Sequence, residues 1–476
     1  MSFLALAPIL AVVAGALISL LLEAFLGRKG HELSATAAVV SLLAAGYFIV
    51  RSWNLELGYF AARLSLDPLA LLLMAVFVVL GAFVILMSLA YASRRDIALG
   101  QLCGLLLIAL AGLMIMVSST DWLVVFLGLE VLSVASYALT GLRRSDPASS
   151  EAAAKYFLMG SFAGAFFVFG LAILFGTSGS MSLASGLSGG GVPSALPAGP
   201  AVGLGLIVAA LFFKIAVAPF HMWAPDVYEG APTPVAAFLT IAPKAAGLVV
   251  LLRVLAPVLG RGGTAAAVFG PVVSAAAVLT MFAGNLAALR QSSVKRLLAY
   301  SAIAHSGYLL VAVAAGDGPG LVFYLIAYLF MNAGAFAVLT ALEGDDGGTA
   351  TLDGLAGLGR RHPALAACLA VFLLSLAGFP PTAGFLAKFY VFSGAVAKGH
   401  VVLVVAAVLA SLVSVAYYLK VIMVMYMKDA AADLTIGRDE PALWLVVFLC
   451  VFGVVQLGLW PGNLLTLIRQ GSSGLF

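Results

Sequence analysis

Residues 233–257 read TPVAAFLTIAPKAAGLVVLLRVLAP, with Lys244 at the centre and Arg253 near the end as the only charges. As a helix rising 1.5 Å per residue, this stretch is about 37 Å long, enough to cross the ~30 Å hydrocarbon core of a bilayer. A barrel strand would alternate polar and apolar residues over ~10-residue segments, which this stretch does not. In lipid a helix then remains as the structure that satisfies every backbone group. The lysine at mid-depth is the anomaly that the rest of the chain must explain.

Outward from this stretch, the same texture fills the 476 residues. Hydrophobic residues make up 63%, or about 300 positions, and charged residues only 9%, against ~25% in an ordinary soluble domain. Mean hydropathy is +1.16. A soluble core of this size cannot hide so much apolar surface. Fourteen apolar runs have spanning length, at roughly 3–26, 33–50, 68–92, 97–117, 121–141, 152–176, 201–220, 233–257, 264–287, 295–315, 319–342, 364–396, 401–427 and 441–466. The expected fold is an all-α integral membrane protein of about 14 transmembrane helices, a single membrane domain over 1–476. Only Met1 and Ser2 precede the first run, so it lacks the basic start of a signal peptide and is expected to be retained. Residues 177–200, rich in Gly, Ser and Pro, read as a flexible uncharged connection. Cys103, Cys368 and Cys450 are scattered with no CxxC spacing, and the net charge of +4 is spread along the chain. Membrane lipid is therefore an expected partner and nucleic acid is not.

Loop charges set the orientation. The odd-numbered loops carry Arg28, Lys29, Arg94, Arg95, Arg143, Arg144, Arg290, Lys295, Arg296, Arg360, Arg361, Lys428 and Arg438. The even-numbered loops and the tail carry Arg51, Arg63, Arg261, Lys398 and Arg469. The bias predicts cytoplasmic odd loops and two periplasmic termini.

Six basic residues remain inside the runs: Lys155, Lys214, Lys244, Arg253, Lys388 and Lys420. Arg253 and Lys420 stand near enough to span ends to snorkel, and Lys155 lies within a turn or so of a span start. Glu130 and His305 also stand mid-span. A charge at the bilayer centre costs ~2.5–3.5 kcal/mol even on the lenient insertion scale. Either these groups hold the bundle together as ion pairs and hydrogen bonds, or they form a row that exchanges protons. The chemistry suits protons, because burial pushes the pKa of a lysine down from ~10.4 toward neutrality and a nearby carboxylate pushes it back. Moving Glu130 relative to Lys214 would switch the proton affinity of the lysine.

The deep groups recur at a constant offset. Glu130 to His305 is 175 residues, Lys214 to Lys388 is 174, and Lys244 to Lys420 is 176. Each pair is five spans apart, an odd number, so the second copy runs the opposite way. This predicts two inverted five-helix repeats, over 97–257 (spans 4–8) and 264–427 (spans 9–13). Each copy has an interrupted span at its lysine: Pro219 and Pro225 follow Lys214, and Pro380 and Pro381 precede Lys388. Proline removes a helix hydrogen bond, so broken helices 7 and 12 are expected, beside hydrated half-channels or as packing kinks. His221, Asp226 and Glu229 follow Lys214, but their spacing matches no helix-face ligand pair and no metal is expected. Phosphate-binding glycine motifs are absent.

FHMWAPDVYEGAPTPVAAFLTIAPKAAGLVVLLR, SSVKRLLAYSAIAHSGYLL and SLAGFPPTAGFLAKFYVFSGAV resemble the antiporter-like, proton-conducting membrane subunits of respiratory complex I, the bacterial NADH:quinone oxidoreductase. Pro-Lys-Ala-Ala at 243–246 and the lysine at 388 favour the subunit N family over subunit M. No long amphipathic helix follows residue 466, which argues against subunit L. The resemblance implies that Glu130 is the fifth-span glutamate paired with the seventh-span Lys214. It implies that Lys155 is a sixth-span lysine of subunit N, Lys244 the central lysine of the eighth span, and Lys388 the twelfth-span lysine at the periplasmic exit. His305 would link Lys244 to that exit, while Lys420 receives no role. The implied activity is proton translocation, as a translocase subunit, driven by NADH-to-quinone electron transfer, in the bacterial inner membrane. Flavin, iron–sulfur clusters and quinone would sit on other subunits, with no cofactor in this chain. The implied partners are M-type and small K/J-type membrane-arm subunits. The rivals are a subunit of a cation/proton antiporter or membrane-bound hydrogenase, an inert spacer, and a lone solute transporter.

Overall fold

The computed structural model describes residues 2–53, 63–183, 197–260, 263–343, 351–429 and 441–472. Arg261, Arg438 and most of the 177–200 connection lie outside the described residues. Among the described residues the regular elements are helices. In chain order they are α1 (Ser2–Leu26), α2 (His31–Ser52), α3 (Pro68–Arg94), α4 (Leu99–Ser118), α5 (Trp122–Thr140) and α6 (Pro147–Ser178). Then come α7 (Ala198–Lys214), α8 (Trp223–Gly230), α9 (Thr233–Gly260), α10 (Gly263–Ala288), α11 (Val294–Ala315) and α12 (Gly318–Leu342). The last six are α13 (Leu358–Arg361), α14 (Pro363–Ala377), α15 (Ala383–Ala397), α16 (Val401–Met427), α17 (Pro441–Leu459) and α18 (Gly462–Ser472).

The helix starts follow from local chemistry. Asp67, Asp146 and Asp317 each precede a proline-containing first turn and accept an amide of that turn, and Asp121 and Ser293 cap α5 and α11 in the same way. A side-chain oxygen there satisfies donors that have no partner inside the helix. The caps of α5, α6, α11 and α12 sit in loops of a few residues, so each of these helices follows closely on the one before it.

The protein is an all-α integral membrane protein. Among the described residues, eleven helical segments are long and apolar enough to cross a membrane, or up to twelve when Asp353–Arg361 and Pro363–Ala377, bent by 118°, count as one. The fourteen runs of the sequence exceed that count for three reasons. The α1–α2 pair forms one 47-residue segment, Leu6–Ser52. The seventh run is cut short where α7 ends at Lys214, with α8 lying beyond it, and the twelfth divides into α14 and α15.

The apolar stretch of α9 is buried throughout, and those of α11 and α12 nearly so, which places these three helices at the centre of the bundle. Helices α6, α10, α16 and α17 keep outward apolar faces, including Phe162, Leu279, Val405 and Phe448, as expected where lipid or another apolar surface is the solvent. Helix α4 packs on α5 as α10 packs on α11, and α6 touches α7 and α8 as α12 touches α14 and α15. The first two pairs share a device. A Cβ on Gly112 would stand 2.6 Å from the Gly128 carbonyl oxygen, and one on Gly284 2.6 Å from the Ala304 nitrogen. Small residues let those helices approach backbone to backbone.

Candidate functional site

Lys214 is the last residue of α7, and the chain is unwound from 215 to 222. Ala216 takes a positive φ of 56°. Pro225 lies in the first turn of α8, where proline is tolerated, so the break precedes it and Pro219 alone falls inside it. Buried side chains satisfy the freed backbone groups. Ser306 donates to the Ile215 carbonyl at 2.7 Å, the Trp223 indole to the Phe213 carbonyl at 3.0 Å, and the Ala218 amide to the Thr280 hydroxyl at 2.9 Å.

Lys214 is buried, donates to the Ser133 hydroxyl at 2.6 Å, and stands 5.5 and 5.3 Å from the ring centroids of Tyr137 and Tyr156. Tyr156 stacks on Trp223 at 4.5 Å, so the break itself supports the cage around the ammonium. Glu130 is half-buried on α5, three residues before Ser133, with a carboxylate oxygen 2.9 Å from where a Cβ of Gly164 would sit. Among the described residues no ion pair within 4.0 Å joins Glu130 to Lys214. The expected pair is therefore apart in this conformation, and a neutral hydroxyl holds the lysine.

Lys244 is completely buried in α9 and donates to the Ala302 carbonyl of α11. Its neighbour Pro243 has no amide hydrogen, which frees the Leu239 carbonyl, and the Tyr228 hydroxyl donates to that oxygen at 3.3 Å. The Tyr328 ring lies 5.9 Å from the Lys244 ammonium and 5.0 Å from the His305 ring. His305 Nδ1 meets the Tyr324 hydroxyl at 2.8 Å, and its Nε2 is 3.4 Å from the Tyr418 hydroxyl, which pairs in turn with Ser301. Tyr308, whose ring is 5.6 Å from that of His305, accepts from Asn285 at 2.9 Å, and Asn285 accepts from Tyr417 at 3.0 Å.

Lys388 closes this row. It donates to the Leu376 and Ala377 carbonyls at 3.1 and 2.8 Å and to the Ser411 hydroxyl at 2.8 Å, and it stands 5.1 Å from the Tyr308 ring. The two carbonyls are orphans at the C-terminus of α14, so the lysine of one half-helix caps the other. Gly378 makes this possible, with φ 92° and only 3.1 Å between its would-be Cβ and the Lys388 side chain.

Three basic residues depart from expectation. Lys155 does not join the row. It is partly exposed and bonds Glu151 at 2.7 Å and Asp226 at 2.9 Å, in a cluster that Arg296 completes through Asp226 and Glu229. Arg253 does not snorkel but pairs with Asp67 at 2.7 Å, both largely buried. Lys420 points outward from α16, so its offset from Lys244 does not reflect a shared buried position. Among the described residues no group of three or more His, Cys, Asp or Glu could hold a metal ion. Sequence reasoning missed Tyr324, Tyr328, Tyr418 and Asn285. The one-turn spacing of Tyr324 and Tyr328 was the available signal, but apolar scales count tyrosine as core.

The family described as NADH:quinone oxidoreductase/Mrp antiporter, TM, matches residues 119–414, which include Glu130, Lys155, Lys214, Lys244, His305 and Lys388. NADH-quinone oxidoreductase subunit N of Trichlorobacter lovleyi is 39% identical over 461 residues, covering 95% of this chain and 93% of the relative. This chain belongs to the NADH-quinone oxidoreductase subunit N family. A chain of the Thermus thermophilus respiratory complex I with bound aureothin is similar to it at a TM-score of 0.81 and 31% identity, covering 96% of this chain and 98% of that one. A chain of the Mrp complex from Dietzia sp. shares the fold, at a TM-score of 0.86 and 21% identity over all of this chain and 98% of that one. For a subunit N family member, the question left to the side chains is what the buried row does.

Proposed function

We propose that this chain is a proton-translocating membrane-arm subunit of NADH:quinone oxidoreductase. It moves protons through Glu130, Lys214, Lys244, His305 and Lys388, coupled to NADH-to-quinone electron transfer elsewhere in the complex. One observation carries the reading: Lys214, Lys244 and Lys388 are buried, and among the described residues each donates only to neutral oxygens. A structural role would place a carboxylate against each, since a buried charge without a counter-ion is strongly destabilising. A lysine among neutral acceptors can instead be charged or neutral, which a proton carrier requires. The tyrosine, histidine and asparagine groups between Lys244 and Lys388 can pass a proton by hydrogen-bond exchange. Lys155 acts at the rim rather than in the row.

On this reading flavin, iron–sulfur clusters and quinone belong to other subunits. M-type and K/J-type subunits flank the chain in the inner membrane, and both termini are periplasmic. Residues 97–257 and 264–427 form inverted repeats, a proposal favoured by the matching neighbours of α4–α9 and α10–α16. The test is proton translocation per NADH in vesicles for Lys244→Ala and Lys388→Ala, with assembly checked separately. Loss of pumping in assembled complexes is expected. Wild-type stoichiometry in both variants would leave these lysines structural.

A further inference from the structure

A second group of buried polar residues lies outside the row, where α9 begins and α12 ends. Glu343 is the C-cap of α12 and only 5% exposed, and it accepts from the Thr233 hydroxyl on the first residue of α9. Lys295, only 1% exposed, donates to the Ala231 carbonyl at 2.6 Å, two residues before Thr233. Arg94 reaches the Glu343 carbonyl at 3.2 Å, while its Nε is buried without a partner.

From this corner a polar line runs inward between α9 and α12. Thr233, Thr240 and Lys244 are separated by 7 and 4 residues, so they fall within about 20° of one face of α9. On α12, Asn332 donates to the Thr240 hydroxyl, and Tyr328, one turn further in, lies against Lys244. Most other residues of the two helices are apolar, chiefly leucine, valine, alanine and phenylalanine. Two atoms on this line, Asn332 Oδ1 and the Tyr328 hydroxyl, are buried with no protein partner. Such an atom left dry costs about 1–3 kcal/mol, and two on one line beside a lysine are the usual setting for bound water. From Thr233 to Lys244 is 11 residues, or about 16 Å of helix, close to half the hydrocarbon thickness.

We propose that Glu343 and Thr233 open a water-filled column between α9 and α12, through Thr240, Asn332 and Tyr328, that loads Lys244 with protons from the cytoplasmic side. The inference rests on the proton-translocating reading and adds an uptake route within this subunit that bypasses Lys214. Lys295 holds the α8–α9 corner in place beside Glu343 and is a positioning residue. The step is a proton transfer along hydrogen bonds: a water protonated at Glu343 hands its proton down the column, and the Lys244 amine accepts it.

The test has two arms. Hydroxyl-radical labelling of the native complex by radiolysis of bound water needs no variant and no turnover. Tyr328 should be modified well above Phe238, an equally buried ring on the far side of α9, and Asn332→Leu should abolish the difference. Equal, background modification of both rings would overturn the column. In the second arm, Glu343→Gln should lose most proton uptake while Glu343→Asp keeps much of it. Wild-type pumping by Glu343→Gln would overturn its loading role. Should Lys244→Ala pump normally while Tyr328 is labelled, the translocation reading fails, the loading step falls with it, and only the water between α9 and α12 stands. Should Lys244→Ala lose pumping while Tyr328 stays unlabelled, the column fails and the translocation reading stands.

Discussion

The sharpest prediction concerns the acceptor of Lys214. Its ammonium is held by one hydrogen bond to Ser133 and by the rings of Tyr137 and Tyr156 at 5.5 and 5.3 Å. A hydrogen bond from a charged group is worth about 1.5–3 kcal/mol, and each desolvated cation–π contact about 0.5–2 kcal/mol. Against these stands the ~2.5–3.5 kcal/mol cost of placing the charge at depth. The two sides are of one size, so the charged and neutral amine lie within a few kcal/mol, and a single group can decide between them. Ser133→Ala removes about 1.5–3 kcal/mol of support for the charged form, or one to two powers of ten in its equilibrium at ~1.4 kcal/mol per decade. This compares with ~2.3 kcal/mol for one charge crossing 100 mV. In membrane vesicles Ser133→Ala should therefore pump fewer protons per NADH, and Lys214→Ala should pump fewer still with the peripheral redox centres intact. Glu130→Ala should also impair coupling if the proposed row works as a switch, because the lysine would lose the carboxylate whose approach raises its proton affinity. Lys214→Arg should not restore pumping, since arginine does not release its proton in this range. Wild-type stoichiometry in assembled Lys214→Ala and Ser133→Ala complexes would refute the reasoning and remove this lysine from the mechanism.

Three further outcomes are expected. A reporter fused after Phe476 should be active only in the periplasm, and activity in the cytoplasm would overturn the topology. Burial raises the Asp317 carboxyl above its ordinary 3.8, and the Gly320 amide and Lys398 only partly oppose this. The folded state then holds the proton more tightly than the unfolded one, so this residue's contribution falls as pH rises from about 3.8 through the raised value. Asp317→Asn, which keeps a capping oxygen, should flatten the thermal stability profile of the purified complex in that acidic window. Breaking the buried Arg253–Asp67 pair by Arg253→Ala should destabilise the subunit by about 3–5 kcal/mol, seen as a lower unfolding temperature or poor assembly, while the double change Arg253→Met with Asp67→Ser should recover much of it.

Much of this protein was legible from the chain alone. Hydropathy adds up residue by residue, so the membrane class followed from composition and from runs such as 233–257. Proline acts on the backbone next to it, so the breaks after Lys214 and before Lys388 were readable as well. A charge in an apolar run is visible wherever it stands, which is how Lys214, Lys244, His305 and Lys388 were found. Tertiary packing alone decided what each charge meets, because that depends on how neighbouring helices are rotated and offset. It turned Lys420 outward at nearly the same repeat offset that buries Lys388. It brought Asp67 to Arg253 across 186 positions and gave Lys155 to a rim cluster. It set Lys214 on a serine rather than on Glu130. It also gathered tyrosines from α11, α12 and α16 around His305, a convergence no one-dimensional pattern records, because the residues share a place only after three helices have packed.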